Sequence, residues 1–169
     1  DRRNALGEGD ALIAAAAAEC FAAGLSVNLT LGETAPQRAA GDALPTLRRQ
    51  LAAAAEAVPS DGGWARVVLA YEPVWAIGPG ATPCEAPEAQ RVCGALRQWV
   101  REHAGDAAAA SCRVAYTGSV SEENAPGYAE LADVDGFVVG RAGLDASKLG
   151  AIARALCGTK RRSPGEGGT

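Results

Sequence analysis

Along most of this chain, short strand-like runs alternate with longer helical patterns, and the groups with reactive chemistry stand just after the runs. Ser26 to Leu31, Arg66 to Tyr71, Cys112 to Tyr116 and Gly136 to Val139 read as strands, whereas residues 9–23, 43–57, 87–103, 121–132 and 146–156 read as helices. In 87–103 the apolar positions Ala89, Val92, Cys93, Leu96, Trp99 and Val100 recur at the spacing of one helix face. Strands joined through helices pair in parallel with right-handed crossovers, so the expected class is α/β. The helix at 9–23 has no strand before it in the sequence, which leads us to expect one upstream of Asp1.

A chain of 169 residues with 48% hydrophobic content can bury one sizeable core. We expect one domain over 1–157 and a disordered tail over 158–169, where Lys160, Arg161 and Arg162 are set among glycine, serine and proline. No apolar run has transmembrane length and no signal segment opens the chain, so a soluble, cytoplasmic protein with no membrane partner is expected. Five widely spaced cysteines with no Cys-x-x-Cys pair argue against a disulfide framework and against a zinc site. A net charge of −4 is too mild to imply a nucleic-acid partner.

The most suggestive segment is Ala70 to Gly80, Ala-Tyr-Glu-Pro-Val-Trp-Ala-Ile-Gly-Pro-Gly. Val67 to Tyr71 is a strand of the kind buried on both faces, and Glu72 stands at its C-terminal end, where the loops of α/β proteins build their sites. The plain alternative is that Glu72 pairs with a neighbouring arginine. Pro73, Val74, Trp75, Ala76 and Ile77 make a stiff segment, and Gly78 and Gly80 permit a hinge, so the whole reads as a lid. Trp75 could equally be a core aromatic. Gly118-Ser119 and Gly140-Arg141 follow the last two strands; each glycine alone could mark an ordinary turn, but together they suit anion binding by backbone N–H groups.

These residues resemble the triosephosphate isomerase family, an α/β barrel of eight strand–helix units. Asp1-Arg2-Arg3 with Gly7-Glu8 resembles the segment after the fourth strand, and Leu31-Gly32-Glu33-Thr34 with Arg38 resembles the fifth-strand turn. Ala70 to Gly80 matches the lid, Tyr116 to Val120 the phosphate loop, and Val134 to Gly140 the eighth strand. Such a barrel takes about 250 residues, and this chain lacks methionine, so the resemblance implies a partial (β/α)8 barrel, a fragment from the helix after strand 4 through strand 8 and its helix. We expect such a piece alone to be inactive and poorly folded.

The resemblance further implies an aldose–ketose isomerase of glycolysis and gluconeogenesis, homodimeric and working without metal or cofactor. Glu72 would be the base, and Gly78, Ser119, Gly140 and Arg141 would hold the phosphate of a small phosphorylated sugar. Tyr71 and Glu33 would be alternate polar partners of Trp75 as the lid moves. The family's asparagine, lysine and histidine fall upstream of Asp1 and are matched by nothing here; His103, Lys148 and Lys160 are misplaced for those roles, while Asp1 is at most an accessory carboxylate. Pro79, Ala81, Thr117 and Arg141 depart from the family's residues, and Arg141 can be read either as a phosphate contact or as a solvent side chain. Two alternatives therefore stay open: an isomerase for another phosphorylated ketose such as a tetrulose phosphate, and a non-catalytic phosphosugar-binding barrel.

Overall fold

A computed structural model describes residues 2–78 and 80–160, apart from the side chains of Asn4 and Lys160. Four strands, β1 (Val27–Leu31), β2 (Val67–Tyr71), β3 (Arg113–Thr117) and β4 (Gly136–Val138), form one sheet in the order β1-β2-β3-β4, with every pair parallel. Before β1 come α1 (Arg2–Leu6) and α2 (Asp10–Ala22); α3 (Ala35–Ala39) and α4 (Ala43–Ala55) lead to β2. Next come α5 (Ala86–Ala104) and α6 (Asp106–Ser111) before β3, α7 (Ala125–Ala129) before β4, and α8 (Ala146–Lys160) after it. The expected α/β class is what the chain adopts. Among the described residues β1 pairs only with β2 and β4 only with β3, so the sheet is open rather than closed into a barrel.

Register places Leu29, Leu69 and Val114 in one row and Leu31, Tyr71, Tyr116 and Phe137 in the next. Successive strand residues face opposite ways, and these rows meet the helices, where Leu47 and Leu51 of α4 and Val92, Leu96 and Val100 of α5 are buried with them. The opposite row is small, Thr30, Ala70, Ala115 and Gly136. Truncating Leu69, which is 0% exposed at the centre of this core, costs about 2–5 kcal/mol.

Below the sheet, Arg97 of α5 ties β3 to β4. Its guanidinium reaches Asp133 at 2.8 Å and Asp135 at 2.7 Å, and it also donates to the carbonyls of Ala109 and Cys112. Asp135 in turn accepts the Val114 N–H at 2.7 Å.

Several boundaries differ from the sequence reading. The helix expected over 121–132 is only α7, because Ser121 and Asn124 close a turn on each other first and Pro126 follows directly. Short α1, α3 and α6 were not anticipated; α3 starts at a Thr34–Gln37 capping box, with Pro36 in its first turn. Helix α8 runs on through 158–160, so these residues of the expected tail are helical, and 161–169 lie outside the described residues. Cys84, Cys93 and Cys112 are buried, Cys20 is half-buried, Cys157 is exposed, and all five are free. Among the described residues no helix is long and apolar enough to cross a membrane.

Candidate active site

Parallel strands in register bring four loops to one edge of the sheet: Gly32-Glu33-Thr34 after β1, Glu72 to Gly80 after β2, Gly118-Ser119 after β3, and Gly140-Arg141 after β4. Pairing continues past the first two strand ends. The Glu72 N–H donates to the Leu31 carbonyl at 2.7 Å and the Val74 N–H to the Glu33 carbonyl at 3.2 Å. The backbone that carries the Glu72 carboxylate is therefore held on both sides of that residue. Glu72 is half-buried and lines a cavity of about 770 Å³ with residues of α1, α2 and β1. At the cavity wall Arg3 and Arg49 both pair with Asp10, and Arg2 pairs with Glu8. Glu72 makes no ion pair among the described residues, which leaves the plain salt-bridge reading without support.

The segment after Glu72 is tied down at several points. Val74–Ala76 forms a single 3-10 turn, in which the Ala76 N–H donates to Pro73. The Trp75 indole donates to Glu33 Oε1 at 2.7 Å, and the Tyr71 hydroxyl donates to the same oxygen at 3.1 Å. Trp75 thus lies partly buried on the segment's own polar anchor, with the Arg38 guanidinium 3.6 Å from its ring centre. Glu33 is 0% exposed, and its Oε2 has no partner among the described residues. The Ser119 hydroxyl donates to the Ala76 carbonyl at 3.0 Å, which joins the segment after β2 to the loop after β3. Ile77 is exposed, and Gly78 and Gly80 take φ of +105° and +76°, values that side chains rarely adopt, so glycine suits both positions. Pro79, like Asp1, lies outside the described residues.

Tyr71, Cys84 and Tyr116 are buried in the same core. Burial first, and then the nearby Glu33 charge, pushes the Tyr71 phenol well above the usual tyrosine value. Burial likewise raises Tyr116, and it raises the Cys84 thiol to about 12. These groups stay neutral near pH 7. The Tyr128 hydroxyl, on α7, donates to the Cys84 carbonyl and so anchors the chain as it leaves the lid. The Tyr116 hydroxyl is buried without a partner among the described residues, and a Cβ on Gly118 would come within 2.8 Å of it.

The loops after β3 and β4 are simpler. Asn124, which the sequence reading did not single out, donates to the Ser119 carbonyl at 2.7 Å and accepts the Ser121 N–H at 2.8 Å. Its signal was the Ser121-x-x-Asn124 spacing of a side-chain-closed turn. Gly140 has φ of −86°, so no left-handed turn explains it. Arg141 opens a 3-10 turn, and its side chain is exposed and without an ion pair or hydrogen bond among the described residues. His103 is exposed on α5, stacked on Trp99 with ring centres 3.9 Å apart, and far in the chain from every loop of the site. Among the described residues no group of three or more His, Cys, Asp or Glu is placed to hold a metal ion.

The family model described as triosephosphate isomerase matches residues 1–156. The chain belongs to the triosephosphate isomerase family. It is 42% identical over 144 residues to the triosephosphate isomerase of Emericella nidulans, a match covering 85% of this chain and 57% of the relative. The glycosomal enzyme of Trypanosoma cruzi is 42% identical over 146 residues, again 85% of this chain and 57% of the relative. The chloroplastic enzyme of Fragaria ananassa is 38% identical over 160 residues, 95% of this chain and 50% of the relative. The chain thus spans about half the length of the curated relatives it matches, and its open four-stranded sheet is a partial form of the family's barrel.

Proposed function

We propose that this chain supplies the base and the lid of an isomerase that interconverts glyceraldehyde 3-phosphate and dihydroxyacetone phosphate. The observation that carries the reading is Glu72 just after β2, without an ion pair among the described residues and with its backbone bonded to Leu31 at the end of β1. A carboxylate in that position takes a proton from one carbon of an α-hydroxy carbonyl compound and returns it to the neighbouring carbon through an enediolate. The transfer is internal to the substrate, so no electrons leave it and no redox cofactor is required.

Pro73 to Ile77 would close over the substrate and exclude water, with Trp75 anchored on Glu33 beside Tyr71. Gly78, Ser119 and Gly140 would surround the phosphate, and the free guanidinium of Arg141 stands ready for a charge-assisted contact with it. A homodimer acting in glycolysis and gluconeogenesis fits the family, and five free cysteines suit a reducing compartment such as the cytoplasm.

The test uses the protein expressed from its complete reading frame. Glu72→Gln should lower kcat by about 10²–10⁴-fold, the usual contribution of a positioned base, with binding of a phosphate-bearing competitive ligand little changed. Unchanged turnover refutes the assignment of the base, and turnover of tetrulose but not triose phosphates refutes the substrate.

A further inference from the structure

Gln50 is a polar residue at a core position. It sits on α4 between Leu47 and Leu51, both 0% exposed, and is itself only 4% exposed. Among the described residues both hydrogen bonds of its amide go to one residue: the Gly32 N–H donates to Gln50 Oε1 at 3.0 Å, and Gln50 Nε2 donates to the Gly32 carbonyl at 3.0 Å. The backbone N–H can only donate and the carbonyl can only accept, so the orientation of the amide is fixed by its partner.

Gly32 in turn lies against the backbone of Glu72. A Cβ there would stand 1.9 Å from the Glu72 carbonyl oxygen and 3.2 Å from Val74 Cγ2, so only glycine allows this approach of the two chains. Gln50, Gly32 and Glu72 also line the same cavity. From a rigid helix, then, a buried side chain grips both polar groups of the residue on which the Glu72 backbone rests.

We propose that Gln50 is a positioning residue for the base: acting through Gly32, it sets how far the Glu72 carboxylate projects from the end of β2. The inference rests on the reading of Glu72 as the base. Proton transfer between carbons is sensitive to ångström-scale displacement of the base, whereas the proposed phosphate loops follow β3 and β4, neither of which pairs with β1, the strand that leads into Gly32. A misplaced base should therefore lower kcat and leave KM alone.

In the protein expressed from its complete reading frame, Gln50→Leu should lower kcat by about 10–100-fold, with KM within about two-fold of the parent. Leu51→Val, on the same helix, controls for lost stability and should leave kcat unchanged. A Gln50→Leu protein that melts earlier yet keeps the parental kcat shows a merely structural glutamine and overturns the inference. Where Gln50→Leu yields no folded protein, Gln50→Glu decides: it keeps the acceptor for the Gly32 N–H and loses the donor to the Gly32 carbonyl. Its kcat should fall several-fold at constant KM, and a parental kcat overturns the inference. If Glu72→Gln leaves turnover intact, the function reading falls and takes this inference with it. If Glu72→Gln abolishes turnover while both Gln50 variants keep the parental kcat, only the positioning role is lost.

Discussion

The chain beyond β2 and the chain beyond β4 leave the same edge of one sheet, but they are held in different ways. After β2, the Glu72 N–H is bonded to the Leu31 carbonyl and the Val74 N–H to the Glu33 carbonyl, and Trp75 shares a fully buried carboxylate with Tyr71. After β4, a three-residue strand gives way to a turn in which Arg141 is exposed and Leu144 is 91% exposed. Parallel topology decides only where loops emerge. Whether a loop is rigid depends on the polar side chains that reach it from neighbouring elements, and here they reach the side that carries the proposed base. An anion can be held by backbone N–H groups in a looser turn, because charge attraction tolerates small displacements that proton transfer does not.

The contrast can be broken most forcefully at Glu33. Glu33→Ala strips the acceptor from two buried donors, Tyr71 and Trp75, at about 1–3 kcal/mol for each. Asn124→Ala, in the loop after β3, should cost about 1 kcal/mol. Urea denaturation followed by tryptophan fluorescence measures both, and equal losses would erase the distinction.

Alkaline pH gives a second handle. Burial raises Cys112 to about 11 and Cys84 to about 12 from an ordinary 9.0, and raises Tyr71 and Tyr116 above the usual phenol value. In each case the folded protein holds its proton more tightly than the unfolded chain, so the stabilisation is complete below pH 9 and is lost as pH rises through 11 to 12. Urea midpoints should be flat from pH 7 to 9 and fall beyond it. A midpoint that rises over that alkaline range contradicts the burial of these groups.

Ser119→Ala removes the hydroxyl bond to the Ala76 carbonyl, a loss of about 1 kcal/mol, which should appear as a KM raised about five-fold. The smallest effect is expected at Arg141. Arg141→Ala should raise KM by less than about five-fold, and less still at high salt, because an exposed charge contributes about 0–1 kcal/mol. A larger loss, insensitive to salt, would mean that the β4 side is as firmly built as the β2 side.

The strands and long helices were readable because apolar spacing is a local signal, and so was the place of Glu72 at a strand end, ahead of a segment rich in proline and glycine. Gln50 was not. In the sequence it is, with Thr46, a polar interruption of an apolar stripe, and its partner Gly32 is 18 residues away. Arg97 is hidden in the same way, since Asp133 and Asp135 lie 36 and 38 residues further on. The helix expected over 121–132 failed for a local reason: Ser121 and Asn124 satisfy each other's backbone groups and delay the helix. Helical periodicity measures which face is apolar, and it carries no information on a side chain that closes a turn.

The bond from Ser119 to Ala76 joins a lid that leaves β2 to a loop that leaves β3. Under the proposed function, lid position and phosphate occupancy of the loop would be linked equilibria with a shared coupling term. Whatever factor separates the affinity of this loop for an anion between the two lid positions, the anion must shift the lid's own equilibrium by that same factor.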